Sequence, residues 1–287
     1  MATPWDRAAP GYLEQWVPRF VPYHLDLVRE VALHVGARVL VVSAGPGVEA
    51  LAAARAVDLE GHVRATDKSE EMVRLCRERA TAAGFDKVRC EVADASDVTG
   101  GPWDVVLCAF GLWQLPGERA AGAPLSPREA AVKAWGEALT PAGKLGLLIW
   151  GPPEPDDPFE MLAEALAAIE PARAPLGPRS LAEREEMAAF LAHQGLSVVR
   201  HTVLRHPVAF ATADAFVRAV REACMWRRLW EEIGDVRMHK VALAFFEKVG
   251  GPDTPIAFDP PATLVIAARP GAEVELDARP SVRVPSL

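Results

Sequence analysis

Short apolar runs alternate with helix-like segments over the first 150 residues of the chain. Each run has the length and β-branched content of a strand. Alternation of this kind predicts a mostly parallel sheet with helices on both faces. The predicted strands are residues 39–43, 62–66, 87–92, 104–109 and 144–150, and the predicted helices are residues 48–57, 69–83 and 126–139.

The pattern changes after Trp150. Proline-rich loops at residues 151–158 and 171–178 are followed by a sixth strand candidate over residues 196–210. A single long helical stretch is predicted over residues 212–249, and the apolar run ATLVIAARP supplies a last strand. Two strands separated by a long helical insert predict a core sheet with a lid over one end.

The composition is that of an ordinary globular protein. Half of the 287 residues are hydrophobic and 24% are charged. The net charge of −8 disfavours a general nucleic-acid binder, and no apolar run is long enough for a membrane span. The N-terminus lacks the apolar segment of a signal peptide, so we expect a cytoplasmic protein. The cysteines predict buried thiols, with neither a disulfide framework nor a metal site; they are Cys76, Cys90, Cys108 and Cys224.

A glycine turn, SAGPGVEA at residues 43–50, follows the first predicted strand and leads into an alanine-rich helix. A turn in this position usually approaches a ligand closely. From Gly45 to Ala50 it fits the dinucleotide pattern G-x-G-x-x-A. With Ser43 in the first glycine position it fits equally well a turn that holds S-adenosylmethionine. Glycines also form tight turns that bind nothing, so the turn alone leaves three interpretations open.

Two aspartates end the second and third predicted strands. The carboxyl ends of neighbouring parallel strands face one crevice, where the Asp67 carboxylate could accept hydrogen bonds from both ribose hydroxyls. Asp94 is placed to accept from an adenine amino group, which would mark a nucleoside lying along the first three strands. The alternatives are a helix cap for Asp67, a role that Ser69 can fill, and a turn for Asp94.

Five stretches, VLVVSAGPG, ATDKSEEM, VADASD, WDVVLCAFGLWQLP and ALTPAGKLGLLIWGPP, stand in a characteristic order and spacing. Together they resemble class I S-adenosylmethionine-dependent methyltransferases, and most closely the group with the ubiquinone and menaquinone biosynthesis methyltransferases. The resemblance covers about residues 5–270. It implies an α/β, Rossmann-like fold with a seven-stranded, mostly parallel sheet whose last strand is antiparallel. A dehydrogenase is less favoured, because it gives no role to Asp94 or to FGLWQLP.

The resemblance implies S-adenosyl-L-methionine as the cofactor and assigns a role to each part of the crevice. The glycine turn would lie against the methionine part, Asp67 would hold the ribose, and Asp94 would meet the adenine. An aromatic ring at Phe110 would be favourable beside the sulfonium cation. The implied cofactor-binding residues are Ser43, Ala44, Gly45, Pro46, Gly47, Asp67, Lys68, Met72, Asp94, Ala95, Ala109 and Phe110.

Two residues depart from the family pattern. The chain has Val41 where the family usually has an acid that anchors the amino group of the methionine end, and Ser43 where it has a glycine. Valine cannot replace a carboxylate. Two further hypotheses therefore stay open: a methyltransferase-like protein that promotes a non-methylating elimination or cyclisation, and a non-catalytic binding module.

The acceptor is expected to be a small, largely apolar or aromatic metabolite. Methyl transfer needs alignment and exclusion of water, and a general base only when the acceptor arrives protonated. No histidine is assigned as catalytic. Trp226 lies four residues from Trp230 on a predicted helix, so core packing is the favoured interpretation of both. The candidate substrate-binding residues are Tyr23, Trp113, Trp150, Trp226 and His239.

The sequence thus predicts a methyltransferase that acts on oxygen or carbon of a small-molecule acceptor without a metal. Residues 1–270 would form a single domain. Within it, residues 1–37 and 212–250 would cover the acceptor site as a lid, and residues 271–287 would form a C-terminal extension. The identity of the acceptor and the oligomeric state are not predicted.

Overall fold

The computed structural model describes residues 3–152, 154–173, 181–274 and 276. These residues form two compact units. The sheet unit comprises the described residues of Pro22–Trp150, Ser180–Leu204 and Ala262–Leu287. The helical unit comprises the described residues of Met1–Val21, Gly151–Arg179 and Arg205–Pro261.

The described elements alternate between strand and helix from β1 to β5, except that a loop without a helix joins β3 to β4. In chain order they are α1 (Pro4–Gln15), α2 (Val17–Glu30), β1 (Arg38–Val42), α3 (Val48–Val57), β2 (His62–Asp67), α4 (Glu70–Ala82), β3 (Arg89–Val92), β4 (Trp103–Ala109), a 3₁₀ turn (Leu112–Gln114), α5 (Pro127–Glu137), β5 (Leu139–Trp150), α6 (Pro158–Ile169), α7 (Arg184–His193), β6 (Ser197–Leu204), β7 (Val208–Phe210), α8 (Ala213–Glu222), α9 (Cys224–Ile233), α10 (Asp235–Val249), β8 (Ile256–Phe258) and β9 (Ala262–Ala268).

The sheet unit is built on one sheet with the strand order β3-β2-β1-β4-β5-β9-β6. Strands β1 to β5 pair in parallel, and β9 lies antiparallel between β5 and β6. This confirms the predicted fold class, including the antiparallel last strand. The strand order reverses between β1 and β4, and α/β sheets bind ligands at the carboxyl ends of the strands beside such a reversal.

Helices cover both faces of this sheet. On one face, α5 contributes Trp135 and α7 contributes Met187 to a buried cluster that also contains Leu145 of β5. Side chains alternate along a strand, so the next residue, Gly146, faces the other side. There α2 comes so close that a Cβ on Gly146 would lie 3.1 Å from Cδ1 of Leu27, and 2.7 Å from Cγ1 of Val31, the residue after the helix. The glycine therefore permits the packing of α2 against β5.

A buried arginine ties the loop after β3 to the sheet. Arg64 of β2 donates from Nε to Oε2 of Glu91 at 2.8 Å. Its Nη1 donates to the carbonyl oxygens of Asp97 at 3.1 Å and Thr99 at 3.2 Å. These bonds satisfy a guanidinium that is only 8% exposed. The loop that begins at Asp94 is thereby held against the sheet.

The helical unit packs around aromatic side chains of its own. The ring of Phe216 on α8 lies 5.2 Å from that of Phe159 and 5.3 Å from that of Phe210, both edge to face. Trp16 is buried and donates from Nε1 to the carbonyl oxygen of Ala219 at 2.9 Å. Strands β7 and β8 pair antiparallel in a separate two-stranded sheet. This unit therefore has its own hydrophobic core.

One prediction for the second half of the chain is wrong, and another needs refinement. The strand predicted over residues 196–210 ends at Leu204, because Pro207 has no N–H for the ladder, and β7 pairs with β8 instead. The helical stretch predicted over residues 212–249 is confirmed, and it consists of three helices, α8, α9 and α10. It is interrupted at Ala223, which is extended (φ −73°, ψ 139°), and at Gly234, which has φ 91°.

The predictions for the first half agree with the structure apart from the ends of some elements. Helix α3 has the predicted bounds, whereas β5 begins at Leu139 rather than at residue 144. The single domain over residues 1–270 and the lid role of residues 1–37 and 212–250 stay predictions. No described helix combines the length and the apolar character that crossing a bilayer requires.

Candidate functional site

The glycine turn after β1 is hydrogen-bonded to the end of β2. The N–H of Ala44 donates to the carbonyl oxygen of Thr66 at 2.9 Å. The next N–H, that of Gly45, donates to Oδ2 of Asp67 at 2.9 Å. The carboxyl ends of these two strands are therefore fixed together, at the edge of the sheet that the sequence predicts to hold a ligand.

The turn requires an unusual backbone and a close approach to α4. Gly45 and Gly47 have φ values of 52° and 84°, and Ser43, in the first glycine position of the pattern, has φ 51°. Such values favour glycine. A Cβ on Gly47 would lie 2.5 Å from Sγ of Cys76 on α4. Gly47 is therefore restricted both by its conformation and by its neighbour.

Asp67 accepts hydrogen bonds on both carboxylate oxygens. Oδ2 accepts from Gly45, and Oδ1 accepts from the N–H of Ser69 at 2.9 Å. Ser69 itself caps α4, because its Oγ accepts from the N–H of Met72 at 3.1 Å. The helix-cap alternative for Asp67 is therefore wrong. The predicted ribose contact of Asp67 stays a prediction.

Asp94 lies beside Lys68 at the solvent edge of the predicted adenine position. Its carboxylate accepts from the backbone N–H of Ser96 at 3.0 Å and from the Ser96 hydroxyl at 2.7 Å. Nζ of Lys68 lies 3.9 Å from Oδ2 of Asp94. The Ser96 bonds, with a smaller contribution from the Lys68 charge, lower the pKa of Asp94. Asp94 is therefore ionised near neutral pH and forms the predicted turn, which leaves its adenine contact a prediction.

Met72 and Ala95, the other residues assigned to the adenine, are buried among core side chains. Met72 is 2% exposed and Ala95 is 9% exposed. The carbonyl oxygen of Ala95 accepts from Nε1 of Trp135 at 2.6 Å. Their role beside an adenine ring stays a prediction, and their observed role is packing.

An aromatic cluster stands at the carboxyl ends of β4 and β5. Phe110 follows the buried Ala109 with φ 54°, and its ring stacks on Trp150 at 4.0 Å between centroids and 16° between planes. The ring of Tyr23 meets Phe110 at 6.1 Å and Trp150 at 5.8 Å, in both cases edge to face. The structure thus brings together two predicted acceptor residues and the residue predicted to border the sulfonium.

The ends of β1 and β4 come together at the reversal of strand order. A Cβ on Gly111, just after β4, would lie 2.5 Å from Cβ of Ser43, just after β1. The Phe110 aromatic cluster and the glycine turn are therefore neighbours. The position of Phe110 beside the sulfonium of a cofactor stays a prediction.

A buried pair of ionisable side chains also lies at this point, and the sequence analysis does not predict it. Nδ1 of His24 on α2 lies 3.0 Å from Oε1 of Glu49 on α3, although without normal hydrogen-bond geometry. Glu49 is 2% exposed and His24 is 6% exposed. The His24 ring meets Phe110 edge to face at 5.5 Å. The signal in the sequence is one acid within the otherwise apolar first turns of α3, VEALAAA.

The remaining predicted acceptor residues lie in different surroundings. Trp113 in the 3₁₀ turn of the sheet unit is 37% exposed. In the helical unit, Trp226 and Trp230 are buried, which confirms the core interpretation, and His239 is exposed. Acceptor binding by Trp113, Trp226 and His239 stays a prediction.

Over the described ranges, no three His, Cys, Asp or Glu side chains are grouped so that they could hold a metal ion.

Cysteines 76, 90 and 108 are buried and free, as predicted. The side chain of Cys224 lies outside the described residues. Sγ of Cys76 is 3.1 Å from Sγ of Cys90, so the two thiols share a hydrogen bond between α4 and β3. This bond, followed by burial, raises the pKa of Cys76 far above its usual range. Cys76 is therefore an uncharged packing residue behind the glycine turn.

Comparison with known proteins agrees with this geometry. Residues 39–143 match the family model of a methyltransferase domain, which spans β1, the glycine turn, Asp67 and Asp94. The fold of the chain is that of the class I methyltransferases, which confirms the predicted resemblance at that level. The predicted cofactor, S-adenosylmethionine, agrees with the family match. The ubiquinone and menaquinone group stays a prediction.

Three solved structures are similar in fold. The YcgJ protein from Bacillus subtilis is 17% identical with a TM-score of 0.56, over 87% of this chain and 100% of that one. A SAM-dependent methyltransferase from Aquifex aeolicus is 19% identical with a TM-score of 0.51, over 68% and 91%. The [4+2]-cyclase SpnF is 16% identical with a TM-score of 0.56, over 89% and 84%. No curated protein matches the sequence.

Replacing Gly47 with alanine tests the close approach of the turn to α4. The positive φ costs roughly 1–2 kcal/mol, and overlap with Cys76 adds about 1–3 kcal/mol. We expect Gly47→Ala to lower the free energy of unfolding in urea by their sum. Gly84→Ala is the matched control, because Gly84 has φ +75° with no atom within 4 Å of the added Cβ, and only the backbone cost should appear. In the double variant with Gly47→Ala, Cys76→Ala should restore the part of the unfolding free energy that is lost through overlap. If the losses of the two single variants simply add in the double variant, the close packing of Gly47 against Cys76 is contradicted.

Proposed function

We propose that the protein is an S-adenosylmethionine-dependent methyltransferase that acts on oxygen or carbon of a small, largely apolar or aromatic metabolite. The observation that carries the proposal is the hydrogen bond of Gly45 to Asp67 beside the reversal of strand order. It joins the glycine turn to the carboxylate that we propose for the ribose. The match of residues 39–143 to a methyltransferase domain supports the same function.

The residues present fit the cofactor. Asp67 would hold the ribose, since its carboxylate lies at the carboxyl end of β2, beside the glycine turn to which it is bonded. Asp94, with its lowered pKa, would accept from the adenine amino group. When bound, S-adenosylmethionine supplies a methyl group on a sulfonium, already activated for in-line displacement.

The protein's contribution to such a reaction is positioning and the exclusion of water. The stacked rings of Phe110 and Trp150 form an apolar wall at the ends of β4 and β5. Their faces can stabilise a cation by a cation–π interaction. The same wall offers stacking to an aromatic acceptor, which is why we favour an apolar or aromatic substrate.

An acceptor that arrives deprotonated needs no general base, so the proposal assigns none. Tyr23 and Trp150 are the acceptor-binding candidates that the structure brings together. Trp113, Trp226 and His239 remain proposed contributors, as does the lid formed by residues 1–37 and 212–250. A cytoplasmic location remains part of the proposal.

A second candidate is a methyltransferase-like protein that promotes an elimination or cyclisation without methyl transfer. Val41 and Ser43, which stand where the family has an acid and a glycine, favour it. SpnF, a [4+2]-cyclase, has a similar fold at 16% identity. This similarity supports a shared fold and does not support a shared activity. The hypothesis of a non-catalytic binding module is supported by the same two residues, Val41 and Ser43.

Calorimetric titration with S-adenosylmethionine, S-adenosylhomocysteine and NAD tests cofactor binding. We expect saturable binding of the first two and none of NAD. Asp67→Asn should weaken binding roughly 10- to 100-fold, because hydrogen bonds to a charged group are worth about 1.5–3 kcal/mol.

The matched control is Asp104→Asn. Asp104 also accepts a backbone N–H, that of Arg38 at 2.9 Å, but at the amino end of β4, and its replacement should leave binding unchanged. NAD binding in place of the other two ligands would overturn the proposal.

Methyl transfer is tested by incubating the protein with S-adenosylmethionine labelled in the methyl group and a panel of phenols and apolar metabolites. We expect label in a product, together with S-adenosylhomocysteine. Conversion of an acceptor without label would support the elimination or cyclisation hypothesis. Cofactor binding with no conversion of any acceptor would favour the binding module.

A further inference from the structure

Glu49 carries a buried carboxylate at the start of α3. It lies two residues after Gly47 and is 2% exposed. Desolvation of a carboxylate is costly unless a cation or hydrogen-bond donors compensate it. The first turn of a helix offers partial compensation through its free N–H groups. Glu49 is therefore placed where a negative charge can be held inside the protein.

The described surroundings of Glu49 hold one side chain close enough for an ion pair. Nδ1 of His24 is 3.0 Å from Oε1 of Glu49. The His24 residue is only 6% exposed, and its Nδ1 lacks an aligned hydrogen-bond partner. Arg79 is near enough for the Glu49 charge to favour its protonated form, but its guanidinium donates to the carbonyl oxygen of Pro46. The His24–Glu49 pair thus retains unused hydrogen-bonding capacity.

The pair stands at the crevice between β1 and β4. Glu49 follows the turn after β1, and the His24 ring contacts Phe110, which follows β4. The charge of Glu49 is felt at the end of β4: burial raises the pKa of Cys108 to about 12, and the charges of Glu49 and Asp67 contribute in the same direction. Two carboxylates therefore act on this end of the sheet.

We infer that Glu49, positioned by His24, binds the ammonium group at the amino-acid end of S-adenosylmethionine; the inference rests on the proposed function. The two carboxylates then bind different parts of the ligand: Asp67 binds the ribose, and Glu49 binds the ammonium group. An ammonium group supplies hydrogen-bond donors and a positive charge to a buried carboxylate. This assignment also accounts for Val41, because a carboxylate on α3 takes the place of an acid on β1.

If Glu49 binds the ammonium group, its effect on affinity depends on whether the ligand carries that group. Removing the carboxylate charge should affect only ligands that carry the ammonium group. Conversely, removing that amino group from the ligand should affect the natural protein but not a protein without the Glu49 charge. A purely structural role for Glu49 would weaken all ligands alike.

The experiment is a calorimetric cycle of two proteins and two ligands. The proteins are the natural one and Glu49→Gln; the ligands are S-adenosylhomocysteine and its analogue without the amino group. We expect Glu49→Gln to weaken S-adenosylhomocysteine binding roughly 10- to 100-fold and to leave the analogue unchanged. The natural protein should show the same loss on going from S-adenosylhomocysteine to the analogue.

Glu129→Gln is the matched control, because Glu129 also lies in the first turn of a helix and is bonded to the N-cap of α5. Its replacement should leave both affinities unchanged. If Glu49→Gln does not fold, the two ligands still test the inference on the natural protein. Equal affinities for both ligands would overturn it, as would an equal loss for both in Glu49→Gln. Failure of the natural protein to bind S-adenosylhomocysteine would instead overturn the proposed function.

Discussion

The hydrogen bond from the Gly45 amide to the Asp67 carboxylate joins two strands at the point where the sheet reverses its order. β1 and β2 are parallel and in register, with Val42 opposite Thr66, so their carboxyl ends lie side by side. The turn after β1 must then pass over the end of β2. Asp67 fixes the direction of the turn. The glycine turn and the proposed ribose site are therefore held together at the reversal of strand order.

The crevice combines negative charge with aromatic surface. Asp67 is bonded to the glycine turn and Glu49 follows the turn in α3, while Phe110 and Trp150 present stacked rings at the ends of β4 and β5. Both features favour a cation, the first by direct attraction and the second by the cation–π effect. A ligand with an ammonium group at one end and a sulfonium in the middle suits this arrangement.

Local patterns predict the fold of the first half because strand, turn and helix follow one another at short range. Helix α3 has its predicted bounds, and Asp67 ends β2 as expected. The second half depends on single residues that interrupt a pattern. Pro207 ends a strand that the apolar run continues, and Gly234 ends a helix that the periodicity continues. Hydrophobic spacing is insensitive to both interruptions.

The site was only partly predictable for a similar reason. Motifs locate the backbone of the turn and the acids at strand ends, because these positions are fixed by the sheet. The His24–Glu49 pair joins two helices that are far apart in the sequence, and only tertiary packing brings them together. Met72 and Ala95 are buried, and their place beside the adenine stays a prediction.

The most direct test of this account is a crystal structure of the protein with S-adenosylhomocysteine. The account predicts the ribose hydroxyls within hydrogen-bond distance of Asp67, the adenine beside Asp94, and the sulfur beside the ring of Phe110. A ligand bound outside the crevice between β1 and β4, or one whose ribose does not contact Asp67, would contradict it.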